Sequence, residues 1–430
     1  MKDGSVRLLT ADAKGRIFAS PRLAPAGMKA GVFFRLSPEN LIRLPAGSQL
    51  FRLPERRPVG CDPETGSFVT TSDAFAVAAF AAPGYTLTHN AAYAEDPKAG
   101  PLPLFSYGAC AEYKGEFYTA AVKVDTDRRH DSTLIDMGKV KKNIEKFKKI
   151  FGKNRLVRHL AGCAVVYGCP NAQNFFLRRY EAPLPVSPSC NAACAGCISY
   201  QSGAIHCSQP RIKFVPTPEE IAGIALFHIG HVKDPILSFG QGCEGEPLLQ
   251  GKTIERAIRL IRMESGNGTI NINTNGSRPK TLERLFDAGL DAARISLNSA
   301  QERYYSAYYR PQNYSFKDVM DSVKTVKAKG GFVSLNYLTM PGFTDSRKEI
   351  GSLVSLIARL RIDMIQWRNL NYDPLLYFKK LRVPGRESAD TAGIAEEMDR
   401  LKRRFPKLMM GYFNPSKEKF SLRAAASPRR

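Results

Sequence analysis

Three cysteines within eight residues are the strongest chemical signal in this sequence. They form the segment Cys190-Asn-Ala-Ala-Cys194-Ala-Gly-Cys197, and seven of the nine cysteines of the chain fall between Cys163 and Cys243. In a reducing compartment, such a cluster of thiols favours a metal site over a disulfide framework. A closed zinc site and an ordinary cubane cluster each need four ligands, so three cysteines without a local fourth suggest iron with one open position.

The sequence gives no sign of export or of membrane insertion. Its first residues, Met1-Lys2-Asp3-Gly4-Ser5, place an acid where a signal peptide needs basic residues. The longest apolar run, Ala74–Ala82, stops at Pro83 and is much shorter than the roughly 18 residues that a membrane span requires. We therefore predict a cytoplasmic protein that has no membrane partner.

The composition limits the class of protein but does not identify a binding partner. The 430 residues are 43% hydrophobic and 24% charged, which predicts two or three globular domains and excludes a disordered or collagen-like chain. The 63 Lys and Arg residues against 40 Asp and Glu residues give a net charge of +23. Such a surface attracts polyanions without distinguishing RNA from an acidic peptide. Within the basic stretch Lys139–Arg158, apolar residues at helical spacing predict a helix with a solvated, lysine-rich face.

Strands and helices alternate regularly around and after the cysteine triplet. The helix start Thr217-Pro218-Glu219-Glu220 combines a capping residue, a proline and two acids. This alternation predicts an α/β fold with a parallel sheet and right-handed crossovers, either a barrel or part of one, with its chemistry at the carboxyl ends of the strands. The six predicted strands lie in Ala182–Ser189, Ile236–Phe239, Thr269–Thr274, Ala293–Leu297, Phe332–Tyr337 and Ile362–Trp367.

Polar side chains and glycines follow several of these strands. The second strand runs into Gly240-Gln-Gly-Cys-Glu-Gly-Glu246-Pro247, in which glycines allow close approach of a ligand and a carboxylate could hold an ammonium group. Asn275 ends the third strand, and hydroxyl and amide groups end the fourth and fifth. Because such side chains fill a core poorly, we expect them to bind a ribose and an amino-acid moiety.

These residues resemble those of the radical S-adenosylmethionine (SAM) enzymes. The cysteine triplet, spaced three residues and then two, is the signature of that superfamily, and Glu244-Gly245-Glu246-Pro247 is similar to its Gly-Gly-Glu-Pro motif with the first glycine replaced. The order of motifs and strands also agrees over about residues 182–370. The resemblance implies a partial (β/α)6 radical SAM barrel.

The resemblance also implies roles for individual residues. Cys190, Cys194 and Cys197 would ligate a [4Fe-4S] cluster, whose fourth iron binds the amino and carboxylate groups of SAM. The implied SAM contacts are Gly245 and Glu246 at the amine, with Ser296, Asn298 and Asn336 near the ribose and the methionine carboxylate. One position departs from the family, because Gly196 replaces the usual aromatic residue before the third cysteine. We expect Ile198 or Tyr200 to pack against the adenine instead.

By the same resemblance, the reduced cluster cleaves SAM to a 5'-deoxyadenosyl radical that abstracts hydrogen from a substrate, and a ferredoxin or flavodoxin supplies the electron. The sequence identifies no catalytic side chain and no substrate among peptides, RNA and small molecules. The first hypothesis is an enzyme acting on a peptide or protein. The alternatives are an RNA-modifying radical SAM enzyme, suggested by the +23 charge, and a non-catalytic zinc or iron-sulfur binding protein.

The flanking segments complete the predicted organisation. We expect a β-rich N-terminal domain (1–135), a basic helix and linker (136–181), the radical SAM barrel (182–370), and a C-terminal helix near Asp390–Arg404 with a tail (371–430). Four further cysteines match the number that a second cubane needs, but their spacing does not predict a metal site, and Cys163 could lie in a core strand. They are Cys163, Cys169, Cys207 and Cys243.

Overall fold

Short strands form the N-terminal part of the protein, as the sequence predicts. The computed structural model describes residues 5–201, 203, 205–384 and 391–420. The strands are β1 (Arg7–Ala11), β2 (Ile17–Ala19), β3 (Ala24–Lys29), β4 (Val32–Arg35), β5 (Ile42–Arg43), β6 (Gln49–Arg52), β7 (Arg56–Cys61), β8 (Phe68–Thr70), β9 (Phe75–Phe80), β10 (Tyr85–Leu87), β11 (Asn90–Ala91), β12 (Tyr93–Glu95), β13 (Cys110–Tyr113), β14 (Glu116–Thr119) and β15 (Ala121–Lys123).

Two antiparallel sheets pack face to face in this region. One has the order β5-β14-β13-β1-β9-β6 with β2 beside β1, and the other has the order β11-β3-β7-β12 with β4 and β8 at its edges. Strand β1 contacts β3, and β9 contacts β7, so the sheets share a core. The small side chains of Ala76 and Ala78 are buried there with Val59 and Tyr93. Strands β10 and β15 form a separate pair.

Three helices connect this region to the second half of the chain. They are α1 (Met137–Phe151), α2 (Arg155–Val165) and α3 (Pro170–Phe176). Helix α1 is the predicted basic helix, which buries Val140, Ile144 and Phe147 and leaves most of its lysines exposed. Helices α2 and α3 occupy the segment that the sequence analysis treated as a linker. Cys163 lies in α2 and not in a core strand, so that expectation is wrong.

A parallel sheet forms the second half of the protein. Its order is β16-β17-β18-β19-β20-β21-β22, and every neighbouring pair is parallel. Both faces of such a sheet are covered, which explains the continuous burial of β17 and β18. The strands are β16 (Glu181–Pro183), β17 (Ile236–Phe239), β18 (Thr269–Thr274), β19 (Ala292–Leu297), β20 (Phe332–Thr339), β21 (Met364–Asn369) and β22 (Met409–Gly411).

Helices connect these strands and confirm the α/β partial-barrel prediction. At α4, Thr217 and Glu220 form the reciprocal hydrogen bonds of a capping box. The helices are α4 (Pro218–Ile229), α5 (Gly251–Glu264), α6 (Pro279–Asp287), α7 (Glu302–Tyr309), α8 (Phe316–Ala328), α9 (Arg347–Leu360), α10 (Pro374–Leu381) and α11 (Ile394–Arg404). No helix in the described ranges is long and apolar enough to cross a bilayer.

The C-terminal segment adds a seventh strand, β22, to the six that were predicted. Helix α11 buries Ile394 and Leu401 in the barrel core, and its predicted first residue, Asp390, lies outside the described residues, as does the tail from 421. After β22, the amide of Asn414 donates to Glu181 at 3.0 Å and accepts from Gln366 at 2.9 Å. These bonds link β16 to β21 across the barrel interior, so the open sheet is curled.

The β-rich region packs against the carboxyl ends of the last strands. Lys29 pairs with Asp345 at 3.0 Å, and Arg56 pairs with Asp373 at 3.4 Å; all four side chains are buried. The side chain of Asn369, at the end of β21, accepts from a backbone N–H of β10 at 2.8 Å. Because buried ion pairs tolerate little separation, these contacts fix the N-terminal region at the mouth of the barrel.

Candidate functional site

The cysteine loop begins where β16 ends and is held by the backbone that ends α7. Ala195 donates its N–H to the carbonyl of Tyr308 at 2.9 Å, and Ala193 donates to that of Tyr309 at 3.1 Å. Gln312 returns a hydrogen bond to the carbonyl of Asn191 at 2.8 Å. These bonds use no cysteine side chain. The loop conformation therefore has its own support, and the three sulfur atoms remain available as ligands.

The environment of Cys190 and Cys194 disfavours ionisation of their thiols. Burial, together with the nearby charges of Glu246 and Cys197, raises the pKa of Cys190 to about 11. Burial also raises the pKa of Cys194, with contributions from both neighbouring cysteines. A bound metal reverses this balance because it stabilises thiolates directly. Cysteines whose thiolate forms destabilise one another fit a site in which bound iron supplies the missing positive charge.

The spread of the triplet also bears on which metal fits. A single tetrahedral zinc holds its sulfur ligands about 3.8 Å apart, since each lies about 2.3 Å from the metal. Within the described part of the chain, one group of three His, Cys or acidic ligand atoms lies within 4.8 Å of one another, and it is His159, Cys163 and Cys243. The triplet does not meet this limit, so at least one pair of its sulfurs lies farther apart than a single zinc ion would hold them.

Gly245 joins the glutamate motif to the cysteine loop through backbone contact. Its N–H donates to the carbonyl of Ser187 at 2.7 Å, and the N–H of Glu246 donates to that of Ser189 at 2.9 Å. A Cβ at residue 245 would lie 2.0 Å from the Ser189 oxygen and 3.1 Å from the Cys190 nitrogen. Only glycine permits this approach, so the two predicted motifs form one site.

The Glu246 carboxylate is buried between this loop and the end of β18. It accepts from the backbone N–H of Leu248 at 3.0 Å, from that of Asn275 at 2.9 Å, and from the Thr274 hydroxyl. Burial raises its pKa to about 7. Asn275 also donates to the side chain of Asn191 in the cysteine loop at 2.9 Å. The two oxygens of an ionised carboxylate can accept about four hydrogen bonds, and three are made here. One further donor, such as an ammonium group, can therefore bind to Glu246.

Glu244 has a structural role that the motif alone does not reveal. Its carboxylate accepts four backbone N–H groups, from Val186, Ser187, Gly240 and Gln241, at distances of 2.7 to 3.0 Å. These donors come from the segment that leads into the cysteine loop and from the turn after β17. An acid inside a glycine-rich turn is the sequence signal for such a clamp. Glu244 therefore holds the segment before the cysteine loop against the turn after β17. Its four hydrogen bonds leave the carboxylate no acceptor site for a further donor.

The predicted polar residues at the ends of β19 and β20 divide into two groups. Ser296 and Asn336 are neighbours in register, and the Asn336 amide donates to the Ser296 hydroxyl at 3.4 Å. Asn298 instead donates to the Tyr304 carbonyl at 3.3 Å and to the Tyr377 hydroxyl at 3.2 Å. The side-chain oxygens of Asn298 and Asn336 are both buried and have no hydrogen-bond partner among the described residues. Since unpaired buried acceptors are costly, they suit a ligand that brings hydroxyl or ammonium donors.

The space beside Gly196 is filled by tyrosine from elsewhere in the chain. A Cβ at Gly196 would lie 2.7 Å from the Tyr308 hydroxyl and 3.3 Å from the Asn371 carbonyl. Of the two expected adenine partners, Tyr200 is 57% exposed and its ring lies against Arg211, whereas Ile198 lines the barrel interior. Arg211 also approaches the Cys197 sulfur at 3.5 Å. Sequence reasoning identified neither Tyr308, which lies far along the chain from Gly196, nor Arg211, which belongs to no recognised motif.

A cavity of about 540 Å³ occupies the barrel interior beside this site. Leu104 and Phe105 of the N-terminal region line one side, and Arg294 and Arg368 project from β19 and β21. Burial and the Arg368 charge lower the pKa of Arg294 to about 9, and within the described part of the chain its Nε atom has no hydrogen-bond partner. The cavity therefore has apolar side chains at its rim and two arginines in its wall, one of which has an N–H group free to donate to a ligand.

Comparisons with known proteins agree with this geometry. A family model described as the radical SAM superfamily matches residues 184–354. The FeMo cofactor biosynthesis protein NifB of Klebsiella pneumoniae is 25% identical over 177 residues, which cover 38% of each chain. The dual-specificity RNA methyltransferase RlmN of Oleidesulfovibrio alaskensis is 27% identical over 188 residues, which cover 40% of this chain and 50% of that protein. The chain thus spans half or less of the length of these relatives.

Among solved structures, methylornithine synthase PylB has a TM-score of 0.38 and 17% identity, over 63% of this chain and 77% of that one. The matched residues 184–354 contain the cysteine triplet, the glutamate motif and the polar ends of β19 and β20. Residues 184–354 therefore form a radical SAM domain, and the family described by this model uses a [4Fe-4S] cluster and S-adenosylmethionine.

Proposed function

We propose that Cys190, Cys194 and Cys197 hold a [4Fe-4S] cluster and that the protein is a radical SAM enzyme. The observation that carries this proposal is the backbone contact of Gly245 with Ser189 and Cys190, which joins the two motifs. When bound, the cluster and SAM would supply the 5'-deoxyadenosyl radical that abstracts hydrogen from the substrate. The protein's own contribution is to orient the ligands and to exclude water from the barrel interior.

The SAM contacts follow from the unsatisfied acceptors near the cluster loop. The remaining acceptor capacity of Glu246 and the backbone at Gly245 would bind the SAM ammonium. Ser296 and Asn336, which hydrogen-bond each other, would lie near the ribose and the methionine carboxylate. Asn298 would contribute through its unpaired oxygen, while Tyr377 holds its amide nitrogen.

We assign the interior cavity to the substrate. A volume of about 540 Å³ falls within the range of small-molecule pockets and would also admit a peptide side chain. The cationic wall at Arg294 and Arg368 favours a substrate group that carries an anionic or strongly polar end. Since Leu104 and Phe105 line the rim, the N-terminal region would position the rest of a peptide or protein substrate.

The electron would come from a low-potential protein donor such as a ferredoxin or flavodoxin. The net charge of +23 would steer an acidic donor toward this chain, and added salt should weaken that association.

Glu246→Gln should weaken SAM binding while leaving the cluster in place. The substitution removes the charge that pairs with the ammonium, and a hydrogen bond to a charged group contributes about 1.5–3 kcal/mol, or about 10- to 150-fold in affinity. Calorimetry on anaerobic, reconstituted protein measures the change. Iron and sulfide content should match those of the wild type, because Glu246 is not a cluster ligand.

Glu397→Gln is the matched control, since Glu397 is also a buried glutamate but lies on α11, outside the site. Its SAM affinity should equal that of the wild type. An unchanged affinity in Glu246→Gln would show that the ammonium binds elsewhere and would contradict the proposed SAM contacts.

A further inference from the structure

Three metal-ligating side chains from two parts of the chain converge beside the barrel cavity, which two of them line. His159 and Cys163 lie four residues apart on α2 and therefore share one helix face, and Cys243 lies in the turn after β17. The His159 Nε2 atom is 3.3 Å from the Cys243 sulfur and 3.5 Å from the Cys163 sulfur. All three ligand atoms lie within 4.8 Å of one another.

We propose that His159, Cys163 and Cys243 bind a single zinc ion, at a second metal site that is separate from the cysteine triplet. Imidazole and thiolate donors suit zinc, which takes ligands at about 2.0–2.3 Å in a tetrahedron. Adjacent nitrogen and sulfur ligands then lie about 3.5 Å apart. The observed separations are close to this value. The site does not depend on the proposed radical reaction.

The surrounding backbone holds the ligands in place without a metal. The Cys243 carbonyl accepts from the N–H of Ile212 at 2.8 Å, and the adjacent Glu244 is fixed by its four backbone donors. Asn154 caps the start of α2 through its side chain. Preorganised ligands reduce the ordering cost of metal binding, which favours occupancy of the site.

Three protein ligands leave one coordination position, and the group lies between the barrel cavity and a second pocket that His159 and Cys163 line with Arg211. Cys163 and Cys243 line the cavity, as does Cys169. Cys169 is not part of the group within 4.8 Å, so the three converging ligands do not need it. Three ligands with an open position are the arrangement of catalytic zinc sites, in which a water or a substrate donor completes the tetrahedron. The ion would thus take water, or an anionic or thiol group, as its fourth ligand.

The site differs from a second cubane built from the four remaining cysteines. Cys207 is exposed and lies beside Tyr200 in a different pocket, so the structure does not bring it together with Cys163 and Cys243. The third ligand is instead His159, a residue that the cysteine count could not identify. A cubane would also need sulfurs spread more widely than this group.

Zinc content in a cluster-free background tests the proposal. The full-length Cys190→Ala, Cys194→Ala, Cys197→Ala variant removes the triplet, so that any metal retained after chelator treatment and gel filtration belongs to the second site. We expect about one zinc per chain, falling at least about fivefold when His159→Ala or Cys243→Ser is added. Cys207→Ser is the matched control and should retain the zinc, as should Cys169→Ser.

Cobalt substitution provides a readout that does not depend on folding yield. Co²⁺ added to the same protein should give thiolate-to-metal charge-transfer absorption, which Cys163→Ser and Cys243→Ser each reduce while circular dichroism stays unchanged. Zinc that persists in both the His159 and Cys243 variants, or a background variant without metal, would overturn the proposal. Four irons with sulfide at this site, or loss of zinc in Cys207→Ser, would establish a cluster instead and also overturn it. Loss of zinc in Cys169→Ser would show that Cys169 is a fourth protein ligand, which would contradict the proposed open coordination position.

Discussion

Cys194→Ala should abolish the cluster signal of the dithionite-reduced protein and reduce SAM cleavage to background. The cysteine loop is held by backbone bonds to Tyr308 and Tyr309, so the substitution removes one ligand without releasing the loop. A cluster with two protein anchors is readily lost to oxygen or to competing thiols. Electron paramagnetic resonance of reconstituted protein, with and without SAM, measures the effect.

Cys207→Ser provides the control for this experiment. Cys207 is an exposed cysteine ten residues beyond Cys197, so its loss should leave the cluster signal and the response to SAM intact. If the Cys194→Ala protein kept a full signal that changed on addition of SAM, the assignment of the triplet as ligands would be wrong.

Gly245→Ala should separate the two halves of the site. Its new Cβ would lie 2.0 Å from the Ser189 oxygen, a backbone atom that cannot move without moving Cys190. Overpacking of this kind costs about 1–3 kcal/mol, and here the strain acts directly on a cluster ligand. We expect reconstituted iron to decrease and SAM affinity to fall at least about tenfold, as measured by iron analysis and anaerobic calorimetry.

Gly223→Ala is the matched control for this substitution. Gly223 lies within α4, and a Cβ there would meet nothing within 4 Å. Alanine should stabilise that helix by about 0.5–1 kcal/mol and leave iron content unchanged. Wild-type iron content and SAM affinity in Gly245→Ala would contradict the proposed contact between the two motifs.

The strands of the barrel could be predicted closely because each is short, apolar and bounded by turns. Ile236–Phe239 and Thr269–Thr274 have the predicted limits, and Phe332–Tyr337 is extended by two residues. Strand β22 was missed because its three residues, Met409–Gly411, carry no pattern of their own. Helix α2 was missed because the valines after Cys163 suggested a strand, and helix α3 was missed because it has only 7 residues.

The candidate site could be predicted where neighbours in sequence form it. The cysteine triplet and Glu246 each lie in a compact sequence motif. The backbone contact between Gly245 and Ser189 brings these two motifs together in the barrel. The convergence of His159 with Cys243 could not be foreseen, since 84 residues separate them and only the packing of α2 on the barrel brings them together. For the same reason, the tyrosine that fills the space beside Gly196 comes from α7, far from both expected adenine partners.

The most direct test of the central claim is the detection of 5'-deoxyadenosine. Anaerobically reconstituted protein, given dithionite and SAM, should release 5'-deoxyadenosine and methionine in equal amounts, as measured by liquid chromatography with mass spectrometry. The Cys190→Ala, Cys194→Ala, Cys197→Ala protein should release neither above background. Wild-type protein that contains its full complement of iron and binds SAM but forms no 5'-deoxyadenosine, even with candidate peptide substrates present, would contradict the assignment of radical SAM chemistry to this site.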